Sequence, residues 1–141
     1  RWFLFGLNDE QQEGIFNLAL DRIQGIEDSR VAYIPNEEID FDEYFDDVIG
    51  VSVNNDEPIQ KVILKVDEDL LPYITSKPLH GSQIQHSDDP TKIELNLQLN
   101  YELESQLLSH GEKIEVIEPV ELRERIKERI KKLNNKYMTC V

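Results

Sequence analysis

From residue 59 onward, apolar and polar positions recur regularly enough to predict the elements one by one. The clearest is Thr91–Asn100, where Ile93, Leu95, Leu97 and Leu99 alternate with Glu94, Asn96, Gln98 and Asn100. That period of two predicts a strand with one buried face and one wet face. Ile59–Val66 reads as a second strand, with Val62, Leu64 and Val66 on one face. After it, Asp67 is placed to cap a short helix carrying Leu70, Leu71 and Ile74, kept brief or bent by Pro72. Ser82–His86 is a candidate strand and Ser87–Pro90 a turn. Asn100 caps a helix with Leu103, Leu107 and Leu108 inside, stopped near Gly111, and Lys113–Ile117 is a last strand. Pro119 stands where a helix accepts proline, and Leu122, Ile126, Ile130, Leu133 and Tyr137 follow at close to helical spacing. With right-handed crossovers, the order β-α-β-β-α-β-α predicts an α+β fold. It is a ferredoxin-like βαββαβ sandwich with an added C-terminal helix.

The first third is patterned differently. Trp2–Leu7 and Ile15–Leu20 read as strands joined by the polar stretch Asn8–Gly14, a hairpin signal. A lone hairpin is marginally stable and has an open edge, so residues 1–23 are expected to self-associate, or else to be swapped or disordered. Phe41, Tyr44, Phe45, Val48 and Ile49 fall on one face of a short amphipathic helix, capped by Asp40 or Asp42 and ended by Gly50. Asn54–Pro58 marks a boundary loop. The predicted organisation is a hairpin over 1–29, an acidic connector over 30–57, and the sandwich with its helix over 58–138.

Charge changes this picture more than composition does. The net charge is −14. Residues 119–141 carry seven bases and three acids, a net of +4, so the remaining 118 residues carry −18. A body this acidic repels a phosphate backbone, so duplex DNA would be read by a segment outside this sequence. The chain opens directly in an apolar run without Met, which reads as a piece of a longer protein. No apolar run approaches the roughly 20 residues of a membrane span. The single Cys140 allows no intrachain disulfide and fits a reducing cytoplasm.

Candidate chemistry is sparse. Seven acids lie between Glu37 and Asp47, but counted from Asp40 the EF-hand glycine and glutamate positions hold Phe45 and Val51. His80, His86 and His110 lack metal-ligand spacing, and His80 with Ser82 is not a nucleophile signature. No glycine-rich phosphate loop is present. Ile59–Val66 and Ile93–Leu99 hold no aromatic residue on which an RNA base would stack. No catalytic residue, metal or cofactor is expected, and the chain reads as a non-enzyme. On the C-terminal helix, Glu121–Arg125 and Glu128–Lys132 are favourable i,i+4 pairs, so its bases read as a solvated face. Its charge also suits the acidic body of another subunit.

Several of these segments together resemble one family. Arg1-Trp2-Phe3-Leu4 resembles the signature of WYL-domain transcriptional regulators, and Leu18-Ala19-Leu20-Asp21-Arg22-Ile23 resembles the strand that follows it. Phe45 with Gly50-Val51, Pro78-Leu79-His80-Gly81-Ser82-Gln83, Gly111 with its strand, and Glu118-Pro119-Val120-Glu121-Leu122 resemble landmarks of the C-terminal extension behind WYL domains.

The resemblance implies that the hairpin is a remnant of a small Sm-like barrel that senses a nucleotide or single-stranded nucleic acid. It also implies that the extension is ferredoxin-like and helps to dimerise or regulate. The resemblance further implies that a separate N-terminal winged helix-turn-helix reads DNA. Arg22, Trp2 and Phe3 are then the candidate ligand contacts. Ala19 replaces one arginine of the family phrase, and Phe3 keeps the ring of the signature tyrosine without its hydroxyl. From the residues alone, Arg22 either binds phosphate or pairs with Asp21 or Glu27. Trp2 and Phe3 either stack on a base or, the better reading, point one ring into a barrel core.

The expected function is a regulatory and dimerising module of a bacterial, cytoplasmic DNA-binding regulator, acting as a homodimer. A purely structural dimerisation module and a ferredoxin-like small-molecule-binding regulatory domain are the alternatives.

Overall fold

The computed structural model describes residues 2–8, 11–54 and 56–138. Arg1, Asp9, Glu10, Asn55 and Cys140, which entered the sequence reading, lie outside the described residues. The chain divides into two units, residues 1–39 and 40–141.

The first unit is an antiparallel ribbon of β1 (Phe3–Asn8) and β2 (Gln11–Ala19), followed by a 3-10 turn over Leu20–Arg22. Leu4 stands opposite Leu18 and Gly6 opposite Phe16, so these share one face, while Phe3 opposite Ala19 and Phe5 opposite Asn17 share the other. The second strand starts at Gln11, four residues before the apolar pattern begins at Ile15. Backbone pairing needs no apolar side chain, so the ladder continues through the polar stretch, from Gly6 to Asn8 with a shift of register. Beyond Arg22 the unit has no regular element. An Asx turn at Asn36, whose side chain bonds both N–H and C=O of Ile39, closes it.

The second unit holds a four-stranded antiparallel sheet in the order β4-β5-β3-β6. Its strands are β3 (Ile59–Val66), β4 (Ile84–Gln85), β5 (Lys92–Gln98) and β6 (Ile114–Glu118), and its helices α1 (Leu71–Ser76), α2 (Tyr101–Ser109) and α3 (Val120–Met138). The central pair β3–β5 is in register from Ile59↔Gln98 to Lys65↔Lys92. That register puts Val62 opposite Leu95 and Leu64 opposite Ile93, with Val66 and Leu97 in the same buried cluster, which Ile74, Leu103, Leu107 and Leu122 close over. Each such large aliphatic side chain contributes about 1.5–3 kcal/mol when fully buried.

Three elements differ from expectation. Residues 41–47 form successive turns rather than a helix. Tyr44 N–H reaches the Asp40 carbonyl as in a helix, but Asp46 to Glu43 and Val48 to Phe45 close tighter i→i+3 turns. Asp40, one of the two predicted helix caps, accepts the Asp42 N–H at 2.9 Å, but as an Asx turn with no helix behind it. Asp46 and Asp47 then stand where a helix C-terminus disfavours negative charge. In α1 the cap is Leu70, and Pro72 lies in the first turn, where no amide donor is needed. Strand β4 is two residues long because side chains replace part of its ladder. Ser82 Oγ donates to the Asn96 carbonyl at 3.0 Å and accepts the Asn96 N–H at 2.8 Å.

Candidate functional site

The ribbon gathers two of the three sequence-predicted contacts at one end. Leu20 N–H donates to the Trp2 carbonyl at 3.0 Å, so the turn that carries Arg22 begins directly opposite Trp2. Arg22 is exposed, and among the described residues no ion pair joins it to Asp21 or Glu27. Trp2 is 82% exposed, so of the two rings it is not the one turned inward. Phe3 lies on the opposite face of the ribbon, half-buried, with its ring centroid 6.4 Å from that of Phe5. Trp2 thus offers an open indole face and Arg22 an open guanidinium, while Phe3 is engaged in a ring contact. Ala19, where the resembled family carries arginine, is buried.

In the second unit the motif residues are structural. Gln83 Oε1 accepts the Leu79 N–H at 2.9 Å, and its Nε2 donates to the Ile74 carbonyl at 3.0 Å. His80 Nδ1 lies 2.8 Å from Ser82 Oγ and accepts the Ser82 N–H at 3.2 Å. The Ser82 hydroxyl is committed to both backbone groups of Asn96, so Pro78–Gln83 forms a stitched corner between α1 and β5. On the outer sheet face, His86 Nε2 is 3.2 Å from Glu94 Oε2, with Lys61 Nζ 3.5 Å away. The bond from His86, aided by Lys61 and opposed by desolvation, holds the Glu94 carboxyl below its ordinary value. Among the described residues, no three His, Cys, Asp or Glu side chains converge as metal ligands. No helix there is long and apolar enough to cross a membrane.

Sequence reasoning missed two constellations. Glu104 on α2 receives Arg129 at 3.0 Å and Arg125 at 3.8 Å, and the Arg129 guanidinium lies 4.8 Å over the Tyr101 ring. Part of the basic face of α3 therefore ties the two helices together instead of facing solvent. Glu121–Arg125 and Glu128–Lys132 pair as the spacing predicts. The second constellation is at Asn100. Its Oδ1 accepts the Leu103 N–H at 2.8 Å, and its Nδ2 donates to the carbonyls of Ile49 and Ser52. Ser52 in turn donates to Glu102 at 2.6 Å. The cap was legible in sequence. Its grip on the connector was not, because nothing local reveals a contact 48 or 51 residues away.

These features define a mixed α/β module: an antiparallel sheet under three helices, its polar side chains spent on joining elements. The WCX domain family matches residues 58–133, more than half of the chain, and the chain belongs to that family. The WCX domain is a C-terminal domain of WYL-type regulators. No curated protein matches the chain.

Proposed function

We propose that this chain is the regulatory and assembly part of a WYL-type transcriptional regulator, and that it performs no bond-making chemistry. The WCX match over residues 58–133 carries this reading. The strand order β4-β5-β3-β6 supports reading that body as a ferredoxin-like sandwich, since it is the order a split βαβ produces. Duplex DNA is then read by a separate winged-helix domain of the same regulator in the cytoplasm, because a −18 surface disfavours phosphate. The ribbon end is the sensing element. Trp2 stacks on a base and Arg22 clamps the phosphate of a nucleotide or a single-stranded nucleic acid.

Trp2 is the single tryptophan of the chain, so its fluorescence reports this site alone. Titration with short single-stranded oligonucleotides is expected to quench it, less so as salt rises. Arg22→Ala is expected to weaken binding by about 1.5–3 kcal/mol, the worth of a charge-assisted contact. Unchanged fluorescence and no binding by the parent chain would reject the sensor. A second reading, a structural dimerisation module, is favoured by Ala19, which leaves Arg22 without a companion base. It predicts a stable dimer that ignores oligonucleotides.

A further inference from the structure

The apolar stripe of α3 changes character along its length. Leu122 is fully buried and Ile126 half-buried, whereas Ile130 is 51%, Leu133 53% and Tyr137 77% exposed. A helix of 19 residues is roughly 28 Å long, and only its first half meets the core. The spacing 130, 133, 137 nevertheless keeps these three side chains on one side. The rest of this distal half is basic, with Lys127 and Lys136 flanking the stripe and Lys131 and Lys132 on the turns behind it, and residues 129–138 include no acid. An apolar surface rimmed by one sign of charge is an interaction surface.

A surface of opposite character lies in the same unit. Asp40, Asp42, Glu43, Asp46 and Asp47 are all exposed, with Phe41 exposed among them. Among the described residues none of these five carboxylates is in an ion pair. The run is also fixed in place. Gln98 N–H donates to the Asp47 carbonyl at 2.8 Å, and Asn100 holds Ile49 and Ser52 just beyond. A pre-ordered surface loses little entropy on docking.

We propose that the distal half of α3 docks on the acidic run 40–47 of a second copy of this chain, reciprocally about a two-fold axis. The proposal rests on reading the chain as an assembly module. Within one chain the two surfaces are left exposed, so neither covers the other. Their charges match, and a reciprocal exchange uses each surface once and closes the assembly. Nucleic acid fits the lysines of α3 but not the apolar stripe between them, and the acidic body opposes it.

Sedimentation of the full chain tests this. The parent is expected to dimerise, more weakly as salt rises. Combining Lys127→Glu, Lys131→Glu and Lys132→Glu is expected to raise the dimer dissociation constant about tenfold or more. Adding Asp42→Lys, Glu43→Lys and Asp46→Lys to that same chain is expected to restore it. All six positions are exposed, and circular dichroism verifies that each variant is folded. A dimer indifferent to both sets overturns the docking proposal and leaves the assembly reading standing. A parent chain that stays monomeric at every concentration overturns both. Dimer lost without rescue, together with loss of oligonucleotide binding, overturns it in favour of nucleic acid on α3.

Discussion

Asn100 shows how one side chain fixes two elements. As an N-cap it accepts the Leu103 N–H, and as a donor it satisfies the carbonyls of Ile49 and Ser52. Asn100→Ala removes the cap and orphans two carbonyls, so a loss of about 2–4 kcal/mol in urea unfolding is expected. Asn100→Asp separates the roles. It keeps the capping oxygen but cannot donate, so it is expected to lose less, with hydrogen exchange rising over residues 48–52. Equal losses in the two variants would show that the donor role carries the whole effect. Gly50, close by, has φ +89, and a Cβ there would lie 2.6 Å from Glu102 Cγ. The sequence pattern makes this glycine a helix stop. Its structural reason is a left-handed turn pressed against α2.

At the scale of elements, strand and helix identity was legible wherever burial repeats locally. Strand β5 and helices α2 and α3 stand where the periodicity of 93–99, 103–107 and 122–137 puts them. Elements built by side-chain stitching were not legible. Strand β4 shrinks to two residues because Ser82 substitutes for backbone, and 41–47 coils into turns although its apolar spacing is helical. The candidate site was legible only as residue types. Its register, with Trp2 facing the turn of Arg22, depends on a bond from Leu20 N–H that no pattern announces.

The ion pairs between elements give a pH dependence with a definite sign. The bond from Lys113 on β6's approach lowers the Asp69 carboxyl below 3.8, and the bond from His86 lowers Glu94 below 4.5. A carboxyl lowered in the folded state stabilises it above the ordinary value, and the contribution is lost as pH falls through the folded value. The stability gap between the parent and Asp69→Asn is therefore expected to be constant at neutral pH, where Lys113 keeps its charge. It should close on acidification below the ordinary Asp69 value. A gap that widens in acid would contradict it. Lys113 is raised by the same bond with Asp69, so its share vanishes only as pH climbs through a value above 10.5.

For the whole molecule, charge works against folding and for assembly at once. A net charge of −14 on 141 residues repels itself most strongly in the compact state. Cross-element pairs such as Arg123–Glu115 and Lys113–Asp69 offset little of this, because exposed pairs are worth about 0–1 kcal/mol each. At low salt the repulsion reaches across the domain, whereas at about 0.1 M the screening length is roughly 10 Å. Sodium chloride is therefore expected to raise the melting temperature of the dilute chain, while the same salt weakens the dimer held by lysines of α3 against carboxylates. Sulfate would not discriminate, since it strengthens burial whatever the charge. Melting temperatures read in a chloride series below the dimer dissociation constant, beside sedimentation in the same buffers, separate the two effects. A melting temperature that falls with chloride would mean that attractive pairs, not self-repulsion, dominate the electrostatics of this fold.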